Sequence, residues 1–128
     1  MAWRQEVGIA CTELKPSPSS IRMLQVNLNK SNSAMQELTI ELSKEKDFIC
    51  LITEPSILKN RLSSIPKHYN CIPSVRENSP RAAIFTSQSI TIQEISNLGH
   101  RDIVVGLIKC GNKHTAIISA YMEQKLTL

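Results

Sequence analysis

Asp47-Phe48-Ile49-Cys50-Leu51-Ile52-Thr53 runs directly into Glu54-Pro55. A short, nearly continuous apolar run between polar flanks suits a strand buried on both faces, at the centre of a sheet. Pro55 forces the chain to turn, so Glu54 sits at the end of a rigid element rather than inside a loose loop. A carboxylate held in that way has the chemistry of a hard-cation anchor. The plain alternative is a solvated residue that opens a turn.

Upstream, residues 21–29 (IRMLQVNLN) form a second strand candidate, with Met23, Leu24, Val26 and Leu28 partly alternating. The polar stretch KSNS breaks it. Ser33 with Gln36 three places on predicts a capping box at the head of a helix. Met35, Leu38 and Leu42 lie at i, i+3 and i+7 on one helical face. Lys44 and Lys46 place the helix end near residue 46 and suit the negative end of its dipole. Strand, helix and strand in this order make a βαβ unit with parallel neighbouring strands. The two strands end in NLN and TEP, so both C-terminal ends lie on one sheet edge, where open α/β sheets place ligands. Asn27, Asn29 and Glu54 are therefore expected to converge, two amides beside one carboxylate. A magnesium ion accepts such a site, completing its shell with water and substrate phosphate.

After Pro55 the texture changes. Residues 56–68 read as a loop with one helical turn. From Tyr69 onward short strands follow: YNCIPSV, RAAIFTS, SITIQEI, DIVVGLIKC and KHTAIISAY, with Gly111-Asn112 as a tight hairpin between the last two. The class is α+β, a βαβ start followed by a meander. Residues 1–20, with Pro16 and Pro18, are expected to be a poorly ordered leader, and residues 123–128 a divergent tail. One helix on one face of a sheet leaves the opposite face uncovered.

Composition narrows the choices. With 41% hydrophobic residues, the 128-residue chain can bury a core, and with 4% aromatics that core is aliphatic. A net charge of +4 is compatible with a polyanionic partner, although no polybasic run concentrates it. Cys11, Cys50, Cys71 and Cys110 contain no CxxC, which disfavours a zinc ribbon. Cys50 and Cys110 border apolar runs and are expected to be small buried hydrophobes. No secretory h-region and no membrane-length apolar segment is present, so an intracellular, reduced protein is expected. His68, His100 and His114 lack metal-ligand spacing and are expected at the surface. There is no GxGxxG, P-loop, GxSxG or HExxH.

The succession LQVNLNKS, helix, FICLITEP, SPRAAIF, HRDIVVGLIK and IISAYM resembles the endonuclease/exonuclease/phosphatase superfamily. More closely, it is similar to the apurinic-endonuclease-like domain of non-LTR retrotransposons, over about residues 21–122. The resemblance implies the N-terminal half of a four-layer, DNase I-like α/β-sandwich. It implies an asparagine of the metal site at Asn27, the metal-binding glutamate at Glu54, and a metal-side residue at Asn29. Tyr121, in Ser-Ala-Tyr, is implied to stand near the scissile phosphate. PRAAIF and RDIVVGLIK are implied to be structural inner strands, with Arg101-Asp102 in a turn leading into one of them. The implied activity is Mg²⁺- or Mn²⁺-assisted hydrolysis of DNA, in the nucleus. In relatives a second half supplies Asp–Asn and Asp–His pairs, which residues 123–128 do not match. The expectation is a fragment of such an enzyme, with little activity and marginal stability alone. The alternatives are a non-catalytic nucleic-acid-binding or interaction module, and a relative acting on phospholipid, nucleotide or RNA.

Overall fold

The computed structural model describes residues 3–11, 19–58, 61–62, 68–73, 79–110 and 112–122. Its strands are β1 (Trp3–Cys11), β2 (Ser19–Asn27), β3 (Phe48–Thr53), β4 (Ile57–Leu58), β5 (Arg61–Leu62), β6 (Asn70–Ile72), β7 (Ala82–Thr86), β8 (Ile92–Glu94), β9 (Ile103–Cys110) and β10 (Lys113–Ala120). One helix, α1 (Asn32–Leu42), joins β2 to β3, and a 3-10 turn covers Ser96–Leu98.

Two sheets stack. The larger has the order β1-β2-β3-β7-β6 and the smaller β10-β9-β8. β2 and β3 are parallel, with Asn27 opposite Thr53, as a βαβ unit requires. β7 runs antiparallel to β3, with Ala82 opposite Thr53. The start of β7 therefore lies where β3 ends.

Strand alternation divides the core between two layers. Leu24, Val26, Phe48, Cys50, Ile52, Ala83 and Phe85 pack with Met35, Leu38 and Leu42 of α1. On the other face Ile21, Ile49, Leu51, Ala82 and Ile84 pack with Ile72, Val104, Ile108 and Ile117. The face expected to be open is thus covered, because the meander folds back as a second layer. What remains outward is the far side of that layer, where Ile118 is 54% exposed.

Several boundaries depart from the sequence-based expectations. Residues 3–11, expected to be unordered, form β1 along the full length of β2, from Trp3 opposite Asn27 to Cys11 opposite Ser19. An edge strand gains main-chain hydrogen bonds by this pairing. Pro16 and Pro18 fall in the connection, outside the described residues. The helix is capped by Ser31, not Ser33. Ser31 has the extended backbone of an N-cap, and its Oγ accepts from the Ala34 N–H at 3.1 Å, while Ser33 Oγ only meets Ser31 Oγ. The helix ends at Leu42 with Ser43 as its cap, so Lys44 and Lys46 lie beyond its last turn. The loop expected at 56–68 contains the short β4–β5 ladder, and the described part of it holds no helical turn. The last hairpin pairs Cys110 with Lys113, which leaves two residues between the strands. Gly111 is outside the described residues, as are the side chain of Cys110 and the tail at 123–128.

The edge away from β3's C-terminus is closed by side chains. Ser87 Oγ accepts from the Phe48 N–H at 3.1 Å, and Ser89 Oγ donates to Asp47 at 2.5 Å. Burial pushes the Cys71 thiol up to about 12, and the nearby Glu94 adds to this. The fully buried Cys50 is raised further, again chiefly by burial. Both behave as core hydrophobes, as expected for Cys50.

Gly106 of β9 is crowded from both its own sheet, by Ile92 of the neighbouring β8, and the facing sheet, by Ile72 of β6. A Cβ there would stand 2.5 Å from Ile92 Cδ1 and 2.8 Å from Ile72 Cδ1. We expect Gly106→Ala to cost about 1–3 kcal/mol, since those isoleucines must shift. Adding Ile92→Ala should recover part of the loss. Urea midpoints of the two variants check this, and an unchanged Gly106→Ala midpoint would refute the close approach.

Candidate functional site

Glu54 leaves β3 in a left-handed conformation, with φ 49°. Asn29 and Lys30, which lead from β2 into α1, are also left-handed, with φ 51° and 61°. These are the positive-φ non-glycine residues among the described ones, and all three lie on one edge. Such backbone costs a residue with a Cβ on the order of 1 kcal/mol, and surrounding contacts must hold it.

The contacts are main-chain hydrogen bonds that tie the turns together. The Leu28 N–H donates to Thr53 O at 3.0 Å and the Lys30 N–H to Glu54 O at 2.7 Å. The Glu54 N–H donates to Arg81 O at 2.9 Å. Asn27 Oδ1 accepts from the Asn29 N–H at 2.9 Å, forming a local turn. The convergence of Asn27, Asn29 and Glu54 is thus built from backbone pairing. Asn27 is half-buried, whereas Asn29 is exposed.

A cleft of about 320 Å³ opens here, lined by Glu54, Lys30, Arg81 and Arg101 with Pro55, Ser56, Ile57, Ser79 and Pro80. Three cationic side chains line it with one carboxylate, and since Arg81 is paired with Asp102 the cleft keeps a small cationic excess from Lys30 and Arg101 over Glu54. Lys30 and Arg101 are exposed, and Arg101 Nε donates to Ser79 O at 3.1 Å.

Tyr121 reaches the same edge from the second sheet. Ser119 Oγ donates to Ile52 O at 3.0 Å, which pins the end of β10 over β3. Two residues on, the Tyr121 N–H donates to Asp102 O at 2.8 Å, and the Arg81 guanidinium carbon lies 4.6 Å from the Tyr121 ring centroid. Arg81 also grips Asp102 with both prongs of its fork, Nε to Oδ1 at 2.6 Å and Nη2 to Oδ2 at 2.7 Å. That hydrogen-bonded guanidinium, helped by the charges of His100 and Arg101, holds the Asp102 carboxyl below the usual carboxylate range.

The strand-then-proline pattern singles out Glu54, and the resemblance adds Tyr121 but gives Arg81 only a structural place in PRAAIF. The overlooked signal is a charged residue directly before an all-apolar strand, the mirror image of Glu54 directly after one. His68, His100 and His114 are exposed, as expected. Among the described residues no three His, Cys, Asp or Glu side chains gather as a metal-holding group. Glu54 is the carboxylate among the residues that line the cleft.

Among solved structures, the fold is similar to the endonuclease domain of TRAS1, a telomere-specific non-LTR retrotransposon, with a TM-score of 0.64 and 25% sequence identity over 80% of this chain. The match covers 45% of that domain's chain, so this protein spans less than half the length of the structure it resembles. No protein-family model matches the sequence, and no curated protein is significantly similar to it. The likeness is to the kind of domain that the ordered segments predict, an apurinic-endonuclease-like fold with mixed α/β layers. No described helix is long and apolar enough to cross a membrane.

Two consequences are measurable. Glycine at position 54 removes the left-handed strain, so Glu54→Gly should melt at or above the wild-type temperature, whereas Glu54→Ala should not. A Glu54→Gly variant less stable than Glu54→Ala would contradict the backbone assignment. The second concerns Asp102. Its folded carboxyl binds a proton less tightly than the ordinary value of 3.8, so its stabilisation is complete above that pH and lost as pH falls through the folded value. Asp102→Asn should therefore be less stable than wild type near pH 7, and in paired urea melts the gap should hold down to the ordinary value of 3.8 and shrink only as pH falls below it.

Proposed function

We propose that the edge carrying Glu54, Arg81 and Tyr121 is the phosphate-facing half of a Mg²⁺-dependent DNA endonuclease site, and that these 128 residues bind nucleic acid without cleaving it efficiently. The observation that carries this reading is Glu54, held in strained backbone at the mouth of a cationic cleft, in a fold similar to a retrotransposon endonuclease domain. Backbone strain of this kind collects at functional sites, where the rest of the fold offsets it.

Each residue has a role in that reading. Glu54 would hold Mg²⁺, or Mn²⁺, and the ion when bound would offset charge developing on the phosphate. Asn27 and Asn29 fix the turn beside Glu54 and offer amide groups to a phosphate oxygen. Tyr121 presents a phenol that can donate to another. Lys30 and Arg101 attract the neighbouring phosphates of the strand, a contribution that weakens as salt rises. Hydrolysis needs in addition a group that takes a proton from water and a donor for the leaving oxygen. The resemblance assigns these to Asp–Asn and Asp–His pairs that have no match in this sequence.

A non-catalytic binding module remains the second reading, favoured by the exposed cations Lys30 and Arg101 at the cleft. The two differ in whether Glu54 and a divalent ion matter. We expect labelled duplex DNA to bind more tightly with Mg²⁺ present, and the increment to vanish in Glu54→Gln. Replacing Lys30 and Arg101 together should flatten the salt dependence by about two phosphate contacts. Plasmid nicking should stay at background with Mg²⁺ or Mn²⁺. Robust nicking that Glu54→Ala abolishes would overturn the inactivity. Binding indifferent to both Mg²⁺ and Glu54 would leave only the binding module.

A further inference from the structure

Three chain segments meet beside the Glu54 turn: 79–81 ahead of β7, 100–102 ahead of β9, and 120–122 after β10. Arg81, in the first of them, touches the other two and the Glu54 turn. Its N–H donates to Arg101 O at 2.7 Å, its carbonyl accepts from the Glu54 N–H at 2.9 Å, and its side chain grips Asp102 and covers the Tyr121 ring. Asp102 in turn uses its carboxylate for Arg81 and its carbonyl for the Tyr121 N–H.

We infer that Arg81, which lines the cleft with Glu54 and is oriented by Asp102, is a positioning residue that sets the Tyr121 ring beside that cleft. The inference rests on the phosphate-facing reading for its purpose, but its geometry stands apart from it.

The physical reason is the shape of the guanidinium. A two-pronged grip by a carboxylate fixes the plane of the fork, which a single hydrogen bond leaves free to swing. With the plane fixed, the face of the cation can rest on one aromatic ring, and that ring gains a preferred place by cation–π attraction. Tyr121 follows the last described strand and precedes Met122, which is 84% exposed. Its backbone is tied to Asp102 by the Tyr121 N–H, while the guanidinium of Arg81 constrains its side chain. Lysine in place of Arg81 keeps the charge but cannot present a planar fork to both the carboxylate and the ring. The pair is half-buried, with side-chain exposures of 22% for Arg81 and 27% for Asp102, so its purpose is better read from geometry than from net stability.

The test is ring NMR on the full chain labelled with ¹³C-tyrosine, assigned with Tyr121→Phe. In Arg81→Lys and in Asp102→Asn, the Tyr121 ring signals should move toward random-coil positions while the amide signals of β3 and β7 stay dispersed. Unmoved ring signals in Arg81→Lys would overturn the inference. So would loss of β3 and β7 dispersion in both variants, because the pair would then be a lock for the whole fold. Mn²⁺ added to the wild type separates this from the function reading. Broadening of the Glu54 amide supports a cation site there, and its absence counts against that site. The ring-signal comparison decides the positioning role in either case.

Discussion

An apolar strand with no solvent-facing side must be covered twice, and β3 imposes that requirement on the whole molecule. Phe48, Cys50 and Ile52 need α1 on one face, while Ile49 and Leu51 need a second layer on the other. Both covers come from segments that also end or begin at the C-terminal edge of β3. The helix is reached through Asn27–Lys30, and the second sheet delivers Tyr121 from β10. Burial of one strand thus assembles the residues around Glu54, without those residues having to attract one another.

The same edge holds the costs of the fold. Glu54, Asn29 and Lys30 adopt backbone conformations that glycine would accept with less strain, and each is fixed by main-chain hydrogen bonds or a local turn. Asn29 is of a type that tolerates this region, whereas at Lys30 and Glu54 a site concerned only with stability would place glycine or asparagine. The opposite edge makes the contrast. There Asp47, Ser87 and Ser89 form hydrogen bonds that close the end of the sheet, and none of these three has a positive φ. One edge is arranged for closure and the other for exposure of charge.

The electrostatics follow the same division of labour. Of the three cations at the cleft, Arg81 is committed to Asp102 and Tyr121, while Lys30 and Arg101 stand exposed. The committed cation is held by its partners, whereas the charge of the exposed ones reaches outward over a distance limited by salt. The fold around this arrangement is similar to the TRAS1 endonuclease domain, and the likeness covers 45% of that chain.

The sequence alone determined the βαβ start, the helix face of Met35, Leu38 and Leu42, and the place of Glu54 at the end of a buried strand. These follow from local periodicity and from the chemistry of a carboxylate and a proline, which need no partner to be recognised. It also located the later strands, although their bounds came out shorter or shifted. Tertiary structure decided the rest. β1 depends on an edge to pair with, which no local pattern in WRQEVGIAC announces. Ser31 outcompeted Ser33 as the cap because the left-handed turn before it sets its backbone. Covering of the second face required the meander to fold over, a long-range event that alternation alone does not specify. Arg81 became part of the site for the same reason: only the antiparallel pairing of β7 with β3 brings the head of one strand to the end of the other.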